Sequence, residues 1–333
     1  MSAIKRIKPL GFPWETQDPF LFCVYHRDLF PEGQENLGPN PELLRDRMIG
    51  QDFTIKDGWR MYHGQQVPGF PQHPHRGFET ITVVPEGLVD HSDSMGATGR
   101  FGHGDVQWMT AGRGVLHSEM FPLVNQEEDN PLLLFQIWLN LPKRSKFVEP
   151  HYKMLWAEDI PVYKTEEVEV TIVAGDFNGT RPLDTTPDSW ASDPGNEVAI
   201  WLIKVMPDGE LELPITKKGI NRSLYFYQGD ELRIGDQTLA TQQGADLFAE
   251  EKITLRNGSR EAHLLLLQGK PIGEPVVQQG PFVMNSQEEI YETIREYQQT
   301  QFGGWPWPQD EFVHSKEKGR FALHANGKEE SRP

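Results

Sequence analysis

Apolar and β-branched residues occur in short runs between residues 20 and 141, and a turn sequence ends most of these runs. The clearest run is 80–84, made of threonine, isoleucine and valine, which stops at Pro85-Glu86-Gly87. The same pattern predicts further strands at 88–91, 105–109, 115–120 and 132–139. Short strands at this spacing are typical of a β-sandwich or a β-barrel.

A second series of strand-like runs follows a polar connection at 142–150. It covers residues 168–174, 198–206, 211–213, 223–227, 231–234, 245–249, 252–255 and 262–267. Turn sequences separate these runs, and 184–196 is predicted to be a loop because it is rich in Asp, Pro, Ser and Thr. Two β-rich blocks of about one hundred residues each predict a duplicated all-β barrel, although the blocks share no close sequence repeat.

The pattern becomes helical near residue 286. Ser286 followed by Glu289 is a capping-box signal. Apolar residues then recur at i, i+4 and i+7 from Ile290, which predicts one amphipathic helix over 286–301.

These patterns divide the chain into three predicted segments. An N-terminal barrel is expected over 1–145 and a C-terminal barrel over 146–280. The helix and a charged tail occupy 281–333, and the tail is expected to pack as extended chain or to fray.

The net charge limits the partners that the protein can have. The chain has 333 residues and a formal net charge of −17. Such a surface repels phosphate backbones, so direct binding to nucleic acid is not expected. The nearest approach to a basic patch is formed by Lys143, Arg144 and Lys146, which we interpret as a solvated loop.

Cysteine usage and apolar run lengths indicate a cytoplasmic protein. Cys23 is the only cysteine in the sequence, which excludes an internal disulfide and a cysteine-based zinc site. The first ten residues lack the apolar stretch of a secretory signal. The longest apolar runs, such as 132–135 and 264–267, are too short to cross a bilayer.

Two pairs of polar residues suggest a metal site in the N-terminal barrel. His73-Pro74-His75 places two imidazoles at i and i+2, which project from the same face of a strand. His117 and Glu119 repeat this arrangement 44 residues later. Two such strands facing the interior of one barrel would supply three nitrogen ligands and one oxygen ligand. Because proline cannot donate to a ladder, the first strand is predicted to be an edge strand or the start of one.

Glu79 is the alternative carboxylate. It has the same parity as His73 and His75, so an unbroken strand would point it inward too. Gly77 could introduce a bulge that changes its direction. We therefore favour Glu119 as the ligand and Glu79 as a residue that orients an imidazole.

The ligand types restrict the metal. Imidazole and carboxylate suit Fe(II), Mn(II), Ni(II), Cu(II) or Zn(II), and the lack of a sulfur ligand argues against Cu(I). Four protein ligands leave two positions open on an octahedral ion, whereas the same four would close a tetrahedral zinc site.

The other histidines are weaker candidates. His91 and Asp93 are also spaced i and i+2, but the turn sequence that follows them favours a surface position. His103 lies between two glycines and is expected in a turn or at a pocket rim. His263 is the single histidine of 198–267, so no metal is expected in the second barrel.

Histidines without a spaced partner are expected in the core or on the surface: His26, His63 and His151. Three large side chains are expected to pack in the core rather than line an aromatic pocket: Trp108, Met109 and Phe121.

The segment from His73 to Thr80 and the segment from Gly104 to Glu119 closely resemble the pirin family of the cupin superfamily. Gly280-Pro-Phe-Val-Met-Asn resembles the closing motif of that family. The resemblance covers roughly residues 15 to 300 and implies a bicupin, with iron in the N-terminal barrel alone. Three regions are longer than in compact members of the family: the segment 37–51 near the start of the chain, the loop at 184–196 and the charged tail.

The resemblance also implies a function. It assigns Fe(II) to His73, His75, His117 and Glu119, and it suggests quercetin 2,3-dioxygenase activity on a small aromatic substrate with O2. Glu119 would accept the proton of a substrate hydroxyl, with Glu79 as the alternative base. The alternative function is a non-catalytic, iron-dependent module that senses redox state and binds a regulatory protein as a transcriptional co-regulator.

Overall fold

A computed structural model describes residues 3–333, so the first two residues of the predicted 1–145 segment lie outside it. Within the described chain the structure is mostly β-strand, as expected. The strands of the first half are β1 (Ile4–Pro9), β2 (Phe20–Phe30), β3 (Gly69–His75), β4 (Phe78–Glu86), β5 (Leu88–Asp93), β6 (Thr98–Gly102), β7 (Val106–Thr110), β8 (Val115–Met120), β9 (Asn130–Asn140), β10 (His151–Leu155), β11 (Val162–Lys164) and β12 (Val168–Ala174). Those of the second half are β13 (Ala199–Val205), β14 (Glu210–Leu213), β15 (Asn221–Gln228), β16 (Glu231–Ile234), β17 (Gln237–Ala240), β18 (Gln243–Phe248), β19 (Ile253–Asn257), β20 (Ala262–Gly269), β21 (Val277–Gln279), β22 (Phe282–Met284), β23 (Phe321–Leu323) and β24 (Glu329–Ser331).

The predicted helix is confirmed as α1 (Gln287–Thr300). Ser286 is its N-cap, and the side chain of Glu289 completes the capping box. Short 3-10 helices occupy Pro41–Leu44, Lys143–Ser145, Trp190–Ser192, Pro194–Asn196 and Gln301–Gly303. No helix in residues 3–333 is both long enough and apolar enough to span a membrane.

The chain forms two compact units, and neither of them is a continuous segment. The first-block unit comprises Tyr25–Gln136, Lys143–Ala157 and Glu274–Pro333. The second-block unit comprises the chain up to Val24, Ile137–Pro142 and Glu158–Gly273. These units differ from the predicted segments 1–145, 146–280 and 281–333. The reason is non-local strand pairing, because β1 pairs with β18 near the end of the second block.

The second-block unit contains a seven-stranded sheet in the order β1-β18-β15-β20-β13-β12-β11 and a four-stranded sheet in the order β14-β19-β16-β17. Aliphatic and aromatic side chains of both sheets form one buried cluster that includes Trp201, Phe226 and Leu264. Burial of this apolar area is the main stabilising contribution to such a sandwich.

The first-block unit contains the candidate site. Its six-stranded sheet has the order β24-β23-β6-β5-β8-β3, and it contains most of a five-stranded sheet in the order β10-β7-β4-β9-β2. A buried cluster containing Phe30, Tyr62, Phe101 and Phe121 packs in this unit. The candidate ligands all lie on β3 and β8, which are neighbours at one end of the six-stranded sheet.

The charged tail contains two short strands, β23 and β24, which agrees with the prediction that it packs as extended chain. Residues of β23 pair with β6, and β24 pairs with β23, so the tail lengthens the six-stranded sheet. Arg100 of β6 is 1% exposed and bonds both carboxylate oxygens of Asp90 at 2.6 and 2.8 Å. Its guanidinium also donates to the tail carbonyls of His314, Ser315 and Lys318. One buried cation therefore joins the sheet to the tail.

We predict that Arg100→Leu lowers the free energy of unfolding by about 3–5 kcal/mol, because it leaves the buried Asp90 carboxylate without its counter-ion. Denaturant unfolding checks this value. The matched control is Arg113→Leu, which removes an ion pair to Glu149 in which both side chains are more than half exposed. That change should cost less than about 1 kcal/mol. Equal effects of the two substitutions would contradict the structural role of Arg100.

Candidate metal centre

Strands β3 and β8 bring the predicted histidines together. The two strands pair antiparallel with His73 opposite His117, after a register shift between Phe70 and His73. β3 lies at the end of its sheet, which confirms the edge position predicted from Pro74. Directly opposite residues share one face of a sheet, so His73, His75 and His117 project from the same side.

The three imidazoles form a compact group. The ring centre of His117 lies 4.4 Å from that of His73 and 4.7 Å from that of His75. The His73 and His75 ring centres are also 4.7 Å apart. One nitrogen from each ring lies within 4.8 Å of the other two, which is close enough for all three to bind one metal ion.

Burial keeps these imidazoles neutral. Desolvation lowers the pKa of His73 to about 4 and holds the pKa of His75 and of His117 well below the ordinary value. Neutral imidazole is the form that binds metals, so little proton release opposes binding near pH 7. Neither ring nitrogen of the buried His117 has a hydrogen-bond partner in the described structure. A metal bond to one of these nitrogens fits this environment.

A tight turn after His75 ends the ligand strand. Gly77 has a φ of +88°, and a Cβ there would lie 2.0 Å from the carbonyl oxygen of Val283, so only glycine fits. The buried ammonium of Lys146 donates to the carbonyls of Gly77 at 2.8 Å and of Val283 at 3.1 Å. Burial lowers the pKa of Lys146 to about 8. The prediction that this lysine belongs to a solvated loop is wrong, because its ammonium binds turn carbonyls in the interior.

Helix α1 holds the same turn from another side. The guanidinium of Arg76 donates to the Glu296 carboxylate at 2.7 Å and lies 3.4 Å from the hydroxyl of Thr293. The ring of Phe302 lies 4.4 Å from this guanidinium, in cation–π contact. The residue next to the candidate ligand His75 is therefore fixed by the C-terminal helix.

Glu119 lies two residues after His117 on β8 and so shares its face. It is not a member of the compact three-histidine group. Thr82 donates to one carboxylate oxygen at 2.8 Å, and Gln136 donates to the other at 2.6 Å. Burial raises the pKa of Glu119, while nearby His91 and these two hydrogen bonds oppose the rise. The carboxylate is thus held beside the histidines.

Glu79 and Thr82 lie on opposite faces of β4. Thr82, which contacts Glu119, is opposite Gln107 on β7, whereas Glu79 is opposite Thr110. An odd difference of three positions places Glu79 and Thr82 on opposite faces of β4. The Glu79 carboxylate accepts from Trp108 at 3.1 Å and from Thr110 at 2.7 Å. The turn at Gly77 breaks the strand, as anticipated, and this break redirects Glu79.

The surface position predicted for His91 and Asp93 is wrong. Both residues are fully buried on β5, opposite Glu119 and His117 respectively. The ring centre of His91 is 5.6 Å from that of His117 and 4.9 Å from that of Tyr152, with which it stacks. The turn sequence begins only after the strand has contributed both side chains, so the i, i+2 spacing was the better signal.

Several other predicted positions are confirmed. His103 is an exposed turn residue with a φ of +53°, and it lines a cavity of about 670 Å³ together with Phe121 and Leu132. The three histidines of the compact group do not line this cavity. His26 is buried and bonds the hydroxyl of Tyr62 at 2.8 Å. The three large side chains predicted to pack in the core are buried: Trp108, Met109 and Phe121.

Two family models match the sequence. The model described as Pirin matches residues 41–139, and the model described as Pirin C-terminal cupin domain matches residues 200–303. A Pseudomonas aeruginosa protein that carries the provisional name quercetin 2,3-dioxygenase is 36% identical over 263 residues, covering 78% of this chain and 87% of its own. Pirin-1 of Arabidopsis thaliana is 39% identical over 242 residues, covering 71% and 78%.

The chain belongs to the pirin family. The fold agrees, since the crystal structure of a quercetin 2,3-dioxygenase from Acinetobacter baumannii superposes with a TM-score of 0.70 and 26% identity, covering 91% of this chain and 96% of the other. The bicupin architecture expected from the sequence is therefore confirmed. The tail beyond residue 303 lies outside both pirin models.

We predict that the iron-loaded protein holds about one metal ion per chain and that His117→Gln reduces this to less than about half an ion, because it removes a ligand at the centre of the group. Elemental analysis of protein without a histidine tag checks the stoichiometry. His263→Gln in the second block is the control and should change nothing. Two ions per chain, or a loss caused by His263→Gln, would refute the assignment to a single site.

We predict different effects of one chemical change at two carboxylates. If Glu119 joins the histidines as a ligand, Glu119→Gln should weaken iron binding by more than about tenfold, because the charge is lost. Glu79→Gln should alter iron affinity by less than about threefold, because Glu79 lies on the other face of β4. Competition with a chelator measures both affinities. Retention of iron by Glu119→Gln with loss by Glu79→Gln would reverse the assignment.

Proposed function

We propose that the protein is an Fe(II)-dependent dioxygenase that cleaves a flavonol such as quercetin. The observation that carries the proposal is the group of three neutral imidazoles, two of them buried, with a carboxylate beside it on the same strand face. The relatives named for quercetin 2,3-dioxygenase activity support the reaction class.

Each residue of the site has a separate proposed role. His73, His75 and His117 would hold the metal, with Glu119 as the fourth protein ligand or as a neighbouring base. Fe(II) bound there would supply open coordination positions for O2 and for the adjacent oxygens of a chelating substrate.

Glu119 is the proposed proton acceptor. Its carboxyl accepts hydrogen bonds from Thr82 and Gln136, which fix its orientation on the strand face that it shares with His117. Burial raises its pKa, which makes the carboxylate a stronger base than an exposed glutamate. Accepting the proton of an enolic hydroxyl fits this environment, because the neutral acid is favoured where water is excluded.

The surroundings of the site suit an aromatic substrate. Phe70 lies 6.3 Å from the ring of His73 and packs against Phe53 and Phe121. Phe70 and the exposed Phe53 offer an apolar surface on the side of the partly exposed His73, with the buried Phe121 packed behind them. Aromatic ligands bind against surfaces of this kind.

We predict that protein loaded with Fe(II) without oxygen consumes O2 when quercetin is added, with loss of the flavonol absorbance and release of CO. His117→Gln, prepared in the same way, should show less than about 1% of this rate, because the metal is lost. An oxygen electrode and absorption spectroscopy measure the reaction.

Flavone, which lacks the 3-hydroxyl group, is the matched control compound and should not be consumed. Absence of O2 uptake over a panel of flavonols, with one iron per chain confirmed, would overturn the proposal. It would favour instead the iron-dependent interaction module.

A further inference from the structure

Asp93 fixes the orientation of a fourth imidazole, that of His91. Nε2 of His91 lies 3.2 Å from Oδ2 of Asp93. The other oxygen, Oδ1, accepts from the backbone amides of Met95 at 2.9 Å and Ala97 at 3.0 Å. A carboxylate only accepts hydrogen bonds, so the contact requires the proton of His91 on Nε2. In the tautomer that carries its proton on Nε2, Nδ1 has a free lone pair and accepts hydrogen bonds.

This acceptor atom has no protein partner. Nδ1 of His91 makes no hydrogen bond within residues 3–333, although the side chain is fully buried. A buried polar atom without a partner is costly. Such atoms are rare in native proteins, and each requires an explanation.

The position of the ring supplies the explanation. His91 is the cross-strand neighbour of Glu119, and Asp93 is that of His117, so the pair faces the candidate metal site. The ring of Tyr152 stacks on His91 with an interplanar angle of 10° and fixes the plane of the imidazole. Glu119 and His91 thus lie side by side on neighbouring strands.

We propose that His91 is a ligand-binding residue, which accepts through Nδ1 a hydrogen bond from a hydroxyl group of an organic chelator bound at the three-histidine site. The ligand class is an enol or a catechol, whose hydroxyl donates to His91 while its oxygens approach the metal. This inference rests on the proposed function only in placing such a ligand at the site. It assigns to Asp93 the role of holding the required tautomer.

The two ring nitrogens can be tested separately. In His91→Gln the amide reaches the region of Nε2, so a donor to Asp93 is kept and the Nδ1 acceptor is lost. In His91→Asn the amide occupies the region of Nδ1, and the contact with Asp93 is lost instead. Asp93→Asn leaves His91 intact. Because Met95 and Ala97 require an acceptor, the new amide nitrogen faces His91 and reverses its tautomer.

The probes are 4-nitrocatechol, which carries hydroxyl protons, and azide, which has none to donate. Each is titrated without oxygen into Fe(II)-loaded protein, and binding is followed by isothermal titration calorimetry. His91→Gln and Asp93→Asn should weaken 4-nitrocatechol binding by roughly 3- to 10-fold. The same variants should weaken azide binding by no more than about twofold, or should strengthen it. His91→Asn should retain most of the 4-nitrocatechol affinity, because an amide oxygen can accept in place of Nδ1.

The control is His103→Asn, a change at an exposed residue whose positive φ asparagine tolerates, and it should alter neither titration. Metal content is measured for every variant, so that loss of the ion is not mistaken for loss of the hydrogen bond. Equal weakening of both probes, or a larger loss in His91→Asn than in His91→Gln, would overturn the proposal. Failure of 4-nitrocatechol to bind wild-type protein that binds azide would overturn it as well.

These outcomes are separate from those of the flavonol test. If 4-nitrocatechol binding depends on Nδ1 as expected while no flavonol supports O2 uptake, the assignment of His91 stands and the proposed reaction fails. If flavonols are consumed and His91→Gln leaves 4-nitrocatechol binding unchanged, the reaction stands and the role of His91 fails.

Discussion

The antiparallel register of β8 between its two neighbours is the constraint on which the candidate site depends. β8 pairs with β3 on one side and with β5 on the other, and both pairings place polar residues opposite His117 or Glu119. Because side chains alternate between faces, a slip of one residue would turn the ligands away from the imidazoles of β3. The turn at Gly77 and the ion pair of Arg76 with Glu296 fix the outer strand, and so they protect this register.

Desolvation gives this arrangement its chemical character. The rings of His73, His75 and His117 are close enough that protonation of all three would place like charges side by side in a desolvated site. The low pKa of these histidines removes that conflict and leaves three lone pairs facing one region. The nearby carboxylate of Glu119 adds a negative charge that a divalent cation would meet there. The same burial that stabilises the barrel therefore prepares the site for a metal.

The alternation of side chains made much of the site predictable from the sequence. The i, i+2 spacings identified the shared face of the histidines, and Pro74 identified an edge strand. His91 and Asp93 carry the same spacing, but a local turn signal outweighed it. The contacts of Thr82 and Gln136 with Glu119 could not be predicted from the sequence. A single polar residue in a strand forms no recognisable motif until its neighbour in the other sheet is known. The sequence also did not predict which chain segments make up each unit, since pairing between distant strands such as β1 and β18 leaves no local signal.

The tail strand β23 has a consequence for how the protein is made. The edge of β6 meets its partner only when Phe321–Leu323 has left the ribosome, more than two hundred residues after β6 itself. Until then the buried guanidinium of Arg100 lacks the carbonyls of 314–318, and the sheet that carries the ligand strands has an open edge. The sheet of the nascent first-block unit is thus complete only after the tail strands have been synthesised. We expect chaperones that shield exposed strand edges to act on this chain longer than on one whose barrel closes locally.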